Sequence, residues 1–292
     1  MNTEKKHKKS AVGIDLVRLL ASHGHRIFTT DQAREFAPRV GLKGDYLLEA
    51  LHHVGRDGWI VPLRRGLYAL TAEVPGVAPV HEFEIAMALV QPAAVSHWSA
   101  MHFHGLTQQV PRRVHVLTTA AVSVPRTRGR ESTTGDDGYP AGGAVFTFAQ
   151  VDPERFFGTE QVWIGDARVT VTDPERTLID GLSKPQLCGD FAEVLNAFEV
   201  RLADLDLDRI IDYALRLDGA TIKRLGWVLD HLGLTSPHLD RLLSFSVKGY
   251  RTLDPTGERR GPCDGRWMIQ VNLPGRSAHE AAAYPASGGP KG

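Results

Sequence analysis

The stretch Trp59-Ile-Val-Pro-Leu-Arg-Arg-Gly-Leu-Tyr-Ala-Leu70 decides how the amino-terminal quarter of the chain folds. Two β-rich runs flank a basic turn closing on Gly66, the pattern of a hairpin. Trp59, Leu63, Leu67 and Tyr68 can cover a small core, while Arg64 and Arg65 stand at the tip. Upstream of it lie three short helical patterns. Three amphipathic helices alone describe a small bundle as well as a helix-turn-helix. The hairpin that follows them is what points to a winged helix-turn-helix.

The first helical pattern runs from about Ile14 to His23, with Leu16, Leu19, Leu20 and His23 at spacings of three and four and Gly24 as its stop. The second opens at Thr29 or Thr30. Thr29 and Gln32 have capping-box spacing, and Ala33, Phe36, Ala37 and Val40 recur on one face before Gly41. The third starts near Gly44 and Asp45, an expected N-cap, and lines up Leu47, Leu48, Leu51 and Val54. Projected at about 100° per residue, this stripe leaves Glu49, His53 and Arg56 facing out, with Tyr46 and His52 on the flanks.

In a helix-turn-helix the second helix of the pair enters the major groove. Arg56 then suits guanine, Tyr46 a phosphate or thymine methyl, and Glu49 a cytosine amino group, although a carboxylate in the groove also meets phosphate repulsion. Arg64 and Arg65 suit backbone phosphate beside it. The expected double-stranded DNA contacts are Lys43, Tyr46, Glu49, His52, His53, Arg56, Arg64 and Arg65. Lys5, Lys6, Lys8 and Lys9 are expected to form a flexible basic arm.

Over the whole chain of 292 residues, 34 Lys plus Arg balance 34 Asp plus Glu, but the balance is cancellation. Residues 1–70 hold 12 basic and 7 acidic side chains, and residues 152–218 hold 7 basic and 15 acidic. The head is therefore suited to phosphate and the acidic centre to a basic partner. A hydrophobic fraction of 42% and a charged fraction of 23% are ordinary for globular chains and exclude wholesale disorder. Cys188 and Cys263 lack paired spacing, which excludes a zinc ribbon and fits a reducing cytosol. No apolar run has the length of a membrane span and the charged start is unlike a signal peptide, so a cytoplasmic, membrane-free protein is expected.

The class expected is α+β: residues 1–74 as the winged domain, residues 81–272 as a larger mixed α/β domain with a helical end, and residues 273–292 as a flexible tail. Residues 71–80, with Pro75, Gly76 and Pro79, read as a linker. Helices are expected over 81–89 and 96–104, the latter capped by Ser96, then strands over 113–118, 144–149, 161–164 and 167–171. Helices follow over 174–182, 191–202, 207–217 and 220–232. Residues 125–143, with Arg126, Arg128, Arg130 and several glycines, read as an exposed loop.

Candidate chemistry outside the head is sparse. His97, His102, His104 and His115 lack the i, i+3 or i+4 spacing of helical zinc ligands. Asp173, Glu175 and Asp180 of Asp173-Pro-Glu-Arg-Thr-Leu-Ile-Asp180 admit a metal-dependent nuclease as the enzymatic alternative, but no lysine accompanies them. Asp173-Pro-Glu-Arg176 and Asp152-Pro-Glu-Arg155 read better as capped helix starts, with Asp180 at the margin of a buried stripe. No phosphate loop or dinucleotide fingerprint occurs. No catalytic residue, metal or cofactor is expected.

Several phrases together resemble the antitoxins of the abortive-infection (AbiE) type IV toxin-antitoxin systems. They are Ile27-Phe-Thr-Thr30, Arg65-Gly-Leu-Tyr-Ala-Leu70, Ser96-His-Trp-Ser-Ala-Met-His-Phe-His-Gly-Leu106, Asp173-Pro-Glu-Arg-Thr-Leu-Ile-Asp180 and Arg224-Leu-Gly-Trp-Val-Leu-Asp-His-Leu-Gly233. The arginine- and glycine-rich insertion and Asp230, where glutamate is more usual, depart from that pattern. The resemblance implies a winged domain that binds inverted repeats in its own promoter and represses the operon. It also implies a larger domain opposing a nucleotidyltransferase-like toxin, without requiring a stable complex. A winged-helix regulator lacking a toxin is the alternative.

Overall fold

The computed structural model describes residues 2–123, 138–234 and 239–273. Within them the chain is α+β, with ten α-helices and three sheets. It divides into two compact units, each built from several segments. Unit 1 takes the chain up to Ala94, then Arg112–Gln150 and Gln161–Thr170. Unit 2 takes Val95–Pro111, Val151–Glu160 and the chain from Val171.

Unit 1 begins with α1 (Asn2–Ser22), of which Leu16, Val17 and Leu20 are buried. The stretch expected as a flexible basic arm is thus the first part of a helix. Residues 2–10 carry no large apolar side chain, so hydrophobic periodicity cannot register them. β1 (Ile27–Thr29) leads into α2 (Thr30–Phe36). There Thr29 Oγ1 accepts from the Gln32 amide at 3.2 Å and Gln32 Oε1 from the Thr29 amide at 2.8 Å, the reciprocal capping box that the spacing predicts. A 3-10 turn (Ala37–Val40) ends at Gly41, and a second (Gly44–Tyr46) enters α3 (Leu47–Arg56). Asp45 lies inside that turn, and no side chain caps α3.

β2 (Ile60–Arg64) and β3 (Leu67–Leu70) form the expected hairpin, and β1 adds antiparallel to β3, giving the order β1-β3-β2. β1 escapes detection because three residues with one buried side chain, Phe28, are too short to show alternation. Leu16, Leu20, Phe28, Phe36, Leu47, Leu51, Val54 and Ile60 close a common core. Each such fully buried side chain contributes about 1.5–3 kcal/mol relative to exposure.

Unit 1 continues past residues 71–80. α4 (Glu82–Leu89) is tied back by Arg26 Nη2, which donates to Glu84 Oε2 at 2.5 Å. β4 (Ala93–Val95), β5 (Val114–Thr118), β6 (Tyr139–Ala141), β7 (Ala144–Gln150), β8 (Thr159–Ile164) and β9 (Ala167–Thr172) make a sheet of order β6-β7-β5-β4-β9-β8, of which Val95, Thr159, Glu160, Val171 and Thr172 are counted in unit 2. After β6, Gly142 lies so close to Leu63 and Ile85 that a Cβ would stand 3.0 Å from one and 2.6 Å from the other. β4 and β6 are three-residue strands unseen in the sequence, and β6 falls within the stretch expected as a loop. Arg126, Arg128, Arg130 and the residues beyond 273 lie outside the described residues.

In unit 2, α5 (His97–Phe103), α6 (Pro174–Ser183), α7 (Phe191–Arg201), α8 (Leu207–Leu215) and α9 (Gly219–His231) lie where the sequence places helices. α10 (Leu239–Ser244) and a small sheet of β10 (Arg251–Thr252), β11 (Cys263–Asp264) and β12 (Ile269–Gln270) were not expected. The core gathers Phe191, Phe198, Ile211, Leu225, Val228 and Trp267. Trp267 is seated on α9 at Gly226, where a Cβ would lie 2.0 Å from its ring, and its Nε1 donates to Asp230 Oδ2 at 2.8 Å.

Aspartates open the helices of this unit. Asp173, Asp190, Asp206 and Asp218 occupy the N-cap positions of α6, α7, α8 and α9, and each side chain accepts from backbone amides. Ser96 takes the N-cap position of α5 without a side-chain cap bond. Asp152 precedes only a 3-10 turn (Pro153–Arg155) and makes no such bond either. No described helix is long and apolar enough to cross a membrane.

Candidate nucleic-acid interface

The setting of α3 follows from its buried side, Leu47, Ala50, Leu51 and Val54. Leu48, expected in that stripe, is 61% exposed, and Ala50 takes its place inside. Exchanging Leu48 for Ala50 turns the outward face by about 40° at the helical repeat. His52 therefore moves to the middle of the exposed face. His53 moves to its margin, with only 16% of its side chain exposed and its Nε2 3.7 Å from Glu49 Oε1. The expectation that His53 faces out and His52 flanks is thus reversed, because the side of α3 packed against Gly13 of α1 carries Ala50 and Val54 and not Leu48.

Lys43, Tyr46, Glu49, His52 and Arg56 are all exposed, Tyr46 to 48%. Arg56 Nη2 lies 3.4 Å from Asp57 Oδ1 at the surface, a pairing worth little in water. Arg64 and Arg65 are exposed on a different element. Arg64 ends β2 opposite Leu67, which leaves Arg65-Gly66 as a two-residue turn, and Gly66 supplies the positive φ of 75° that a side chain would resist. The turn is anchored to the start of α2, where the Thr30 amide donates to Gly66 O at 2.9 Å. Arg65 is thereby held on a fixed turn next to the helix pair. Arg18 of α1 stacks its guanidinium 5.6 Å from the Trp59 ring, bracing the base of the hairpin.

The carboxylates of the nuclease alternative serve separate contacts. Asp173 Oδ1 caps the Arg176 amide at 2.7 Å while its Oδ2 accepts from the Tyr213 hydroxyl at 2.7 Å. Glu175 accepts from the Asp206 amide at 3.2 Å and pairs with Arg209 at 3.5 Å and Arg201 at 3.8 Å. Asp180, expected at a margin, is buried and pairs with Arg176 Nε at 2.9 Å. Burial raises its carboxyl above the ordinary range, while the Arg176 charge and hydrogen bond pull the other way. Arg176 also donates to the carbonyls of Arg155 at 2.8 Å and Phe157 at 3.1 Å, and stacks on the Phe157 ring at 4.2 Å.

The histidines likewise go to different places. His97 is buried at a φ of 48°, with Nδ1 2.8 Å from Ser96 Oγ. Burial, reinforced by the Lys184 and Arg176 charges, pushes its pKa down to about 3 and keeps the ring neutral. His104 Nε2 lies 2.7 Å from Thr172 O, His102 is exposed, and His115 is buried in β5. Of the fifteen acidic side chains of residues 152–218, six are engaged in the four helix caps and in the Glu175 and Asp180 pairs, and most of the fifteen remain exposed.

No family model matches the sequence, and no curated protein does. Among solved structures, the chain is similar to the RV2827C protein from Mycobacterium tuberculosis, with a TM-score of 0.63 over 87% of this chain and 88% of that one. The two share 16% sequence identity, so the likeness is one of fold.

Proposed function

We propose that the chain is a DNA-binding transcriptional autorepressor and the antitoxin of a type IV toxin-antitoxin system, with residues 1–74 acting as a winged helix-turn-helix. The observation that carries this reading is the pairing of α3 with the anchored hairpin. An amphipathic helix with an exposed outer row is followed by an antiparallel turn that displays two arginines. α3 would enter the major groove, with Arg56, His52 and Tyr46 toward base edges, and Arg64 and Arg65 on phosphate. Glu49, paired with His53, fits acceptance from a cytosine amino group. The antitoxin part rests on the ordered phrases from Ile27 to Gly233 that resemble the AbiE antitoxins.

A gel-shift titration of the full chain on its own upstream DNA, beside a scrambled duplex and at two salt concentrations, tests the DNA reading. Preferential binding to the upstream duplex that weakens with salt is the expected result. Equal affinity for both duplexes removes the repressor. Arg56→Ala should cost about 1–3 kcal/mol of specific binding and relax base preference. Arg64→Ala should weaken binding to every duplex alike and reduce the salt slope by about one. For the antitoxin part, co-expression with a nucleotidyltransferase-like protein encoded beside it should restore growth. Failure to restore it, or the absence of such a neighbour, leaves a regulator without a toxin.

A further inference from the structure

Up to residue 94, the large apolar side chains that the described residues leave strongly exposed are Tyr46 and Leu48, and both stand at the start of α3. A single exposed leucine needs no explanation in itself. This one belongs to a row: Leu48, His52 and Arg56 follow one another at i, i+4 and i+8 along the outer face, all three exposed. Lys43 and Tyr46 precede the row and Glu49 lies beside it. The row is thus apolar at the amino-terminal end and cationic at the other.

That order fits a duplex better than a protein partner. An apolar protein interface needs a contiguous patch, whereas the exposed residues near Leu48 in the chain, Lys43, Asp45, Glu49 and His52 beside Tyr46, are mostly polar or charged. In the major groove the apolar feature is the 5-methyl of thymine, and residues near the amino-terminal end of a groove-entering helix are among those that meet base edges. We infer that Leu48 is a specificity-determining residue that packs on a thymine methyl, so that the preferred duplex carries thymine opposite the first turn of α3. This rests on the reading of α3 as the helix that enters the groove.

The test separates the two. The full chain selects its preferred duplex from a random pool, and the selected thymines are then replaced one at a time by deoxyuridine, which lacks only the methyl. One thymine should prove sensitive, with affinity falling about fourfold on loss of its methyl. Leu48→Ala should lose about the same factor on the thymine duplex and become indifferent to uracil at that position. Its side chain is exposed, so its thermal midpoint should match the parent's. If a duplex is selected but no uracil replacement matters, or if Leu48→Ala keeps the parent's sensitivity, the assignment of Leu48 is wrong and α3 binds by other groups. If no duplex is enriched, the DNA reading fails and takes the inference with it.

Discussion

Arg176→Ala should destabilise the chain by about 3–5 kcal/mol, because it removes one partner of a buried ion pair and leaves the other in place. The side chain is fully buried, and its guanidinium donates to Asp180 Oδ1 and to two backbone carbonyls at once. Alanine would leave all three acceptors without it. The loss has a pH signature. Asp180 already sits above its ordinary range through burial, and without the Arg176 charge it rises further. A carboxyl with a raised folded-state pKa binds more protons folded than unfolded, so its contribution falls as pH rises above the unfolded value. The deficit of Arg176→Ala should therefore be largest in neutral and alkaline buffer and shrink on acidification. Asp180→Asn placed in the same background should recover part of it. Urea titrations of the three proteins across pH check this, and a deficit independent of pH would contradict it.

Trp267→Ala should cost a similar amount, about 3–5 kcal/mol, through the cavity left by a fully buried indole and the loss of its hydrogen bond to Asp230. The complementary change, Gly226→Ala, pushes a methyl into the space the ring occupies and should cost about 1–3 kcal/mol or somewhat more. The two should not add. With the indole gone, the alanine methyl at position 226 meets open space, so the double variant should be no less stable than Trp267→Ala alone. Thermal midpoints of the four proteins test the contact, and strict additivity would show that Gly226 is small for another reason.

The helices α6 to α9, the second half of α1 and the hairpin over 60–70 were legible because each carries a full period of apolar residues or a turn with its own chemistry. The Thr29–Gln32 capping box and the Asp173 cap were legible for the same reason, since both are contacts between near neighbours in sequence. What was lost is what depends on distant partners. β1 and β4 are three residues long and exist through the strands beside them. Leu48 and Ala50 exchanged roles because periodicity ranks a leucine above an alanine, whereas the packing of α1 on α3 admits the smaller residue. Local side-chain size in the partner helix is not written in the window being read. The acidic tally over 152–218 was legible, but not which carboxylates cap helices or pair with arginines, since those roles depend on helix starts and distant partners; Asp173, Glu175 and Asp180 are buried in this way, while most of the others remain exposed.

The segmented make-up of unit 1 bears on how the protein is made. Gly142 closes against Leu63 and Ile85, and the last of its strands comes from residues 161–170. A ribosome will have released the proposed reading helix long before it delivers those closing residues. The core from Leu16 to Val74 is complete by then, but Leu63 must wait through the synthesis of a long intervening stretch before Gly142 closes against it. Such topologies fold slowly and offer apolar surface to chaperones in the meantime. Cutting the gene at codon 80 to isolate the head would keep the core from Leu16 to Val74 but leave Leu63 without its contact to Gly142.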